Sequence, residues 1–350
     1  MIRPVLFVDL PGIIYTMDRR ARSKQHEYAN FVCWLEPVER DFAPAPLLRN
    51  ILRINPASRT WICEDHWRLL GFAQVQERPS RRGWDLSYLA SMTNRTISSE
   101  EILTALLDYA LEAAATHGIL RIFAKVEDDA PEQELFLRSG FQRYARELLY
   151  VYNGGQQPAD GTGLNLSSLR RWHRHYAWGL HQIYRATTPQ RVQMAELLDS
   201  SEEYAQLHVG TQNPMTALFQ GGSENYVCDM GVRLGAWLRL CRGHGTTPHR
   251  ICLNVHPEHT DLAEPLLKFG INRLLEYSAQ RIYCFVREYD TGVITALRNS
   301  GFEHDSTRVL LVRHVARLAM KSSTVPLLEQ RAAYGLKGLG TVNSRQKLMR

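Results

Sequence analysis

Two stretches end alike: Phe136-Leu137-Arg138-Ser139-Gly140-Phe141 and Leu297-Arg298-Asn299-Ser300-Gly301-Phe302. Each closes a short helical pattern with Ser-Gly, and the glycine can supply the left-handed backbone that ends a helix. Outward from them the same order recurs. In the first half, Glu100 to His117 has Leu103, Leu106, Leu107, Ala110 and Ala114 on one helical stripe, with Gly118 as its stop. Leu120, Ile122, Ala124 and Val126 then alternate with Arg121, Phe123 and Lys125, as in a strand. An acidic turn (Glu127, Asp128, Asp129), the short helix and a strand from Tyr144 to Tyr152 complete the unit. The second half runs likewise: helix Asp261 to Tyr277, strand Ile282 to Val286, turn Glu288-Tyr289-Asp290, short helix, Ser-Gly-Phe, strand Arg308 to Val315.

The upstream parts match as well. Strand Val5 to Val8 leads into Asp9-Leu10-Pro11, and strand Ile183 to Arg185 leads into Thr188-Pro189; a capping side chain followed by proline marks a helix start. Strand candidates follow at Thr60 to Cys63, Leu70 to Gln76 and Asp85 to Met92, and again at Tyr226 to Cys228, Arg233 to Cys241 and Arg250 to Val255. Residues Asn153 to Gly163 have the composition of a linker. A chain of 350 residues has room for two cores. The expected organisation is α+β, with a mixed, mostly antiparallel sheet flanked by helices in each of two domains, 1–153 and 180–320, a linker at 154–179 and a basic tail at 321–350.

This arrangement resembles the GNAT N-acetyltransferase superfamily twice over, across nearly all of residues 1 to 153 and 180 to 318. The paired Ser-Gly-Phe endings carry the likeness most specifically. The resemblance implies transfer of an acetyl or other acyl group from acyl-CoA to an amine on a small molecule or a protein, with no metal. It also implies a pyrophosphate held at the N-terminus of the long helix, where free amides and the helix dipole favour an anion.

Against the family loop, Arg/Gln-x-x-Gly-x-Gly/Ala, the first half reads Met92 to Glu101 without glycine, and Ser98 with Glu101 forms a capping-box pattern that consumes donors. Arg95, Thr96, Ser98 and Ser99 are its candidate cofactor contacts. The second half offers Val255 and Thr260, beside Asp261 and Glu264 in an acidic capping box, with Glu258 nearby. The family's thiolate-protonating tyrosine falls on Phe136 and Leu297, which carry no proton to give. Asp85 and Glu77, with Tyr88, are the candidates for deprotonating the amine; solvated strand-end charges are the alternative for the two carboxylates. From Gly231 to Pro257 the second half has no acid, leaving His249 or Asp229. Asp129 and Asp290, eleven residues before the turn glycines, fall where the family has asparagine near the cofactor, or are helix N-caps. At most one copy is therefore expected to be competent. The alternative is a non-catalytic module of the same fold, kept for binding or regulation.

Charge and composition bound the rest. Net charge is +6, but residues 321 to 350 hold six basic residues against Glu329 alone, leaving 36 basic and 35 acidic residues elsewhere. A basic tail says little about function. Residues 161 to 195 hold five arginines, four aromatic residues and no acid; a seal between the domains accounts for this, and nucleic acid is disfavoured. Six scattered cysteines without a C-x-x-C pair read as buried thiols of a reducing compartment. His256 and His259 lack a third ligand for a metal. No apolar run reaches the length of a membrane span or a signal core, so a cytoplasmic, soluble protein is expected. The acceptor pocket is expected from Cys33 to Asn50 and Glu203 to Glu224, and the two domains would pair as the subunits of a dimer do.

Overall fold

The structure, a computed structural model, describes residues 1–13, 58–66, 68–78, 82–91, 98–154, 168–196, 198, 200–201, 204–205, 222–243, 248–278 and 281–315. Arg95, Thr96, most of the 154–179 linker's first half, the Cys33–Asn50 segment, most of Glu203–Glu224 and the tail lie outside these residues.

The first half consists of β1 (Ile2–Pro4), β2 (Ser58–Asp65), β3 (Arg68–Glu77), β4 (Gly83–Ser91), α1 (Ser99–Thr116), β5 (Arg121–Glu127), α2 (Glu132–Arg138) and β6 (Gln142–Tyr152). The second consists of β7 (Leu169–Arg171), α3 (Ala177–Thr187), α4 (Gln190–Glu196), β8 (Ser223–Asp229), β9 (Leu234–Cys241), β10 (His249–Val255), α5 (Ala263–Leu275), β11 (Ile282–Arg287), α6 (Thr291–Asn299) and β12 (Glu303–His314). All twelve strands form one sheet, in the order β1-β2-β3-β4-β5-β12-β6-β11-β10-β9-β8-β7.

The centre of that order is an exchange. β12, the last strand of the second half, lies between β5 and β6, and β6 lies between β12 and β11. Each half is thus completed by the final strand of the other. Glu147 of β6 and Arg308 of β12 are register partners at the crossing, and their outer neighbours are Arg287 of β11 and Glu127 of β5.

Each half has its own helix-side core. α1 lays Ile102, Leu103, Leu106, Leu107 and Ala110 on Ala73, Leu86, Leu89, Ile122 and Ala124. α5 lays Leu266, Leu267, Ile271 and Leu274 on Leu238, Leu253, Ile282 and Cys284. α1 approaches β3 so closely that a Cβ at Gly71 would lie 2.5 Å from the Ala90 carbonyl oxygen and 2.8 Å from Ile102, so no larger side chain fits there without movement.

The two Ser-Gly-Phe endings are built alike. Gly140 (φ +78°) and Gly301 (φ +84°) take the left-handed conformation. The Phe141 amide donates to Phe136 O at 2.9 Å, and the Phe302 amide to Leu297 O at 3.0 Å, the helix-closing bond that the glycine makes available.

Two upstream expectations fail. The strand expected at Val5 to Val8 lies earlier, at Ile2–Pro4, and Phe7–Asp9 forms a 3-10 turn. Asp9 accepts from the Leu6 amide and from Arg3, tying the turn backward. Ile183 to Arg185, read as a strand, lies inside α3, whose Leu180, Ile183 and Tyr184 are buried at helical spacing. Three alternating residues were too few to separate strand from helix. The edge strand is instead β7, inside the stretch read as linker, which also holds the 3-10 turn Arg174–Tyr176 and the first turn of α3. Thr188-Pro189 does open a helix, α4.

Candidate functional site

In both halves a parallel strand pair opens into a wedge. β4 and β5 pair only over Gly83–Asp85 and Arg121–Phe123, although β4 continues to Ser91 and β5 to Glu127. β10 and β11 pair only over His249–Ile251 and Ile282–Cys284. Past these pairs no ladder joins the two strands among the described residues.

The wedges differ. β4 carries one extra residue: Tyr88 faces Gln74 and Leu86 faces Val75, leaving Ser87 without a counterpart on β3. This bulge sits two residues beyond the last β4–β5 pair. β10 runs in unbroken register with β9 over the same region. The Ser87 and Ser91 hydroxyls are buried with no hydrogen-bond partner among the described residues. In the second wedge Asn254 of β10 donates to the Tyr204 hydroxyl at 2.8 Å. Tyr204 is 1% exposed, and it lies close enough to Tyr289 and Asp290, just after β11, for their charges to act on it. Tyr204 thus packs with Leu180, Ile183 and Tyr184 of α3 and holds the far part of β10 through Asn254.

At the apex of the first wedge Asp85 accepts from Arg78 Nε (3.0 Å) and Nη2 (2.7 Å) through the same oxygen, Oδ1. The guanidinium also lies 3.3 Å from the centre of the Phe123 ring. A side chain at Gly83 would crowd both, so the glycine permits the arrangement. Asp85 is thus a buried ion-pair partner, not a solvated strand-end charge. Glu77 is half-buried opposite Trp84, on the closed side of the apex. Tyr88 lies beyond the bulge, buried beside Phe72.

At the first helix end the capping box is formed. Ser98 Oγ accepts from the Glu101 amide and Glu101 Oε2 accepts from the Ser98 amide, both at 3.2 Å. Two first-turn donors are thereby used, and Ser99 follows half-buried. The open groove over this turn is lined by Ser98, Glu100, Glu101, Thr104 and Asp108, so it is acidic.

At the second helix end the chain from Pro257 to Leu262 is a 3-10 turn that runs directly into α5. The expected acidic capping box is absent. Leu262 occupies the cap without a side-chain bond, and Glu264 instead meets Lys268 and Asn299. Thr260 packs against Gly292 of α6, and Val255 is buried opposite Ala236.

The second half's remaining base candidates are committed. His249 accepts from the Gly243 amide at Nδ1 (2.8 Å), which makes Nε2 the protonated nitrogen, facing the Ser278 carbonyl at 3.1 Å. Burial lowers its pKa, consistent with a neutral ring. Asp229 accepts from Tyr176 and the Gly231 amide. Phe136 and Leu297 are both fully buried core residues.

Of the two expected aspartate caps, Asp290 takes its place and Asp129 does not. Pro131 takes the cap of α2, leaving Asp129 exposed, while Asp290 occupies the cap of α6 without a side-chain bond. Burial raises the Asp290 carboxyl to about 7, against the opposing pull of Arg287. A carboxyl raised in the folded state carries stability that is complete below its unfolded value and is lost as pH rises through the folded one. Asp290→Asn should therefore melt higher than the parent at pH 8.5, with the gap closing by pH 4. A gap independent of pH would refute the assignment.

Sequence reasoning missed a buried charged cluster on the face away from α1 and α5. Lys125 Nζ bonds Glu147 Oε2 at 2.7 Å, Arg287 bonds Glu196 at 2.9 Å, and Tyr184 donates to Glu196 at 2.9 Å. These residues come from β5, β6, β11, α3 and α4, so no local motif announces them. Lys125, set between Ala124 and Val126 inside its strand, was an available signal. Among the described residues no group of three or more metal-ligating side chains occurs, and no helix is long and apolar enough to cross a membrane.

No protein-family model and no curated protein sequence matches the chain. Solved structures do. The chain is similar to a tandem GNAT protein from the clavulanic acid biosynthesis pathway, with 16% identity, TM-score 0.59, and coverage of 90% of this chain and 98% of that one. It is similar to a GCN5-related N-acetyltransferase from Sphaerobacter thermophilus, with 11% identity, TM-score 0.59, and coverage of 90% and 95%. A third similar structure is a GCN5-related glucosamine N-acetyltransferase region in a fungal multi-domain GH3 β-N-acetylglucosaminidase, with 14% identity, TM-score 0.58, and coverage of 89% of this chain and 38% of that one.

Proposed function

On a chain that carries the GNAT fold twice, we propose that the first half binds acyl-CoA and passes its acyl group to an amine, while the second half serves as scaffold. The observation that carries this reading is the difference between the β4 and β10 strands: β4 is bulged and carries two buried hydroxyls without a partner among the described residues, whereas β10 is unbulged and gives its Asn254 amide to Tyr204. The fold alone does not decide activity.

In this reading the acyl-pantetheine arm enters between β4 and β5 as an extended chain, past the point where their pairing ends. Its pyrophosphate end lies toward Ser99, with Arg95 and Thr96 in the preceding loop, and its thioester end lies toward Ser87. The acceptor amine must lose a proton before or during attack. Tyr88 lies past the last β4–β5 pair, Asp85 at it and Glu77 short of it, so the carboxylate role is given to Asp85, with Arg78 as its counter-ion. The acceptor is an amine on a small molecule or a protein, and the site of action is the cytoplasm.

A second reading, a binding or regulatory module without transfer, is favoured by specific features of the same half. Ser98 and Glu101 use two helix-end donors on each other, and the groove above them carries carboxylates. Acetyl-CoA separates binding from its absence. At a hundredfold excess over Kd it should stabilise the folded chain by about 2.7 kcal/mol, a shift removed by Arg95→Ala and retained by Thr260→Ala. Retention in the first and loss in the second would move the site to the other half, and no shift with acetyl-CoA or CoA would end the acyl-CoA reading. Thiol release from acetyl-CoA in the presence of amines then distinguishes transfer from binding.

A further inference from the structure

Residues 161 to 195, with five arginines, four aromatic residues and no acid, do not form the seal expected of them. α4, at the end of the stretch, reaches the first half through Val192 and Ala195. The aromatic residues before it do not: β7 is the outermost strand of the sheet, and α3 packs beside it on β8 and β9. We propose that this edge of the second half is a docking surface for an anionic lipid bilayer. Val232, Met230 and Trp178 enter the interface, and Arg170, Arg171 and Arg185 meet the headgroups.

Val232 is 94% exposed, Trp178 58% and Met230 44%. Singly exposed apolar residues are ordinary on a protein surface, but these three share one end of the second half. Met230 and Val232 lie in the turn between β8 and β9. Gly179, the residue after Trp178, is packed so closely on Leu234 at the start of β9 that a Cβ would lie 2.7 Å from the leucine side chain. Tyr176, just before α3, donates to Asp229 at the end of β8 at 3.3 Å. The turn itself is fixed, because the Met230 amide donates to the Arg233 carbonyl at 3.1 Å and Asp229 Oδ1 accepts from the Gly231 amide at 2.9 Å. Val232 is therefore held out into water by a formed turn.

Charge complementarity selects the occupant. Arg170, Arg171 and Arg185 are exposed. Of the acids beside the turn, Asp229 is engaged by Tyr176 and the Gly231 amide, and Glu258 by Arg233 at 2.8 Å. Apolar side chains that cross the headgroup layer and cations that attract anionic lipid are the two components of interfacial binding, and both are present here. Nucleic acid would call for aromatic faces on which bases stack. Trp172 and Tyr176 are instead packed against the core under α3, and an exposed valine gains nothing from a phosphate backbone.

The surface uses none of the residues given to acyl-CoA, so the two readings stand or fall separately. Flotation of the full chain with vesicles of phosphatidylcholine and phosphatidylglycerol, mixed two to one, should show binding that weakens as salt is raised. Vesicles of phosphatidylcholine alone should not support it. Val232→Asp should weaken binding by at least about tenfold without changing the melting temperature. Arg170→Gln and Arg171→Gln should each weaken it by about fivefold. Because the tail is also basic, the Val232 variant is decisive: vesicle binding that it leaves unchanged would assign the attraction to charge alone and overturn the proposal. Absence of binding to the mixed vesicles would do the same. Binding of single-stranded RNA that is lost with the same two arginines would make the surface a nucleic-acid site instead.

Discussion

Expressed separately, residues 1–160 and 161–350 should fail to give folded monomers, and expressed together they should recover a stable complex. Without β12 the first half exposes the edges of β5 and β6 across a gap; without β6 the second half loses the strand between β11 and β12. Such edges template aggregation. The exchanged strands are also the most extensively paired in the sheet, with β6 and β12 sharing nine register pairs around two irregularities. Size-exclusion chromatography and circular dichroism of each half alone and of the co-expressed pair would decide it. A cooperatively unfolding monomer from either half alone would show that the exchange is dispensable.

Glu147→Gln should cost about 3–5 kcal/mol, the loss expected when one member of a buried ion pair is removed and the other remains. The carboxylate is nearly inaccessible, lies 2.7 Å from Lys125, and has Arg287 and Arg308 as register neighbours, so two further cations lie beside its bonded partner. Burial works to raise the Glu147 pKa, but Lys125 and Arg287 prevail and hold it below the usual carboxylate range. The same neighbourhood pushes Lys125 down, through burial first and then through Arg287. Because the carboxyl is depressed, its stabilisation is present above the unfolded value, about 4.3, and lost as pH falls through the folded one. Urea unfolding should therefore show the full deficit at pH 7 and a shrinking one below pH 4, and Lys125→Met in the Glu147→Gln background should recover part of it. A deficit that persists unchanged at pH 3 would assign the loss to packing instead.

Much of the fold was legible because it is written in local patterns. The Ser-Gly-Phe endings, the stripe of α1 and the alternation of β5 are short-range signals, and each corresponds to the element expected. Ile183 to Arg185 failed for the same reason in reverse: three residues cannot report a period, and helical burial of Leu180, Ile183 and Tyr184 emerges only over a longer window. The site was less legible. Asp85 could be named from sequence, but its engagement by Arg78 depends on the β3–β4 pairing that brings residues seven apart side by side. The bulge at Ser87 is a relation between two strands, and Lys125 meets Glu147, and Glu196 meets Arg287, only after the sheet has closed.

The placement of β12 also bears on how the second copy can change over time. Where the second half serves as scaffold, as proposed above, its helix-end loop is free to drift. Its last strand is not, because β5 leans on it along seven register pairs. Loss of the duplicate as a unit would take the wall of the neighbouring compartment with it.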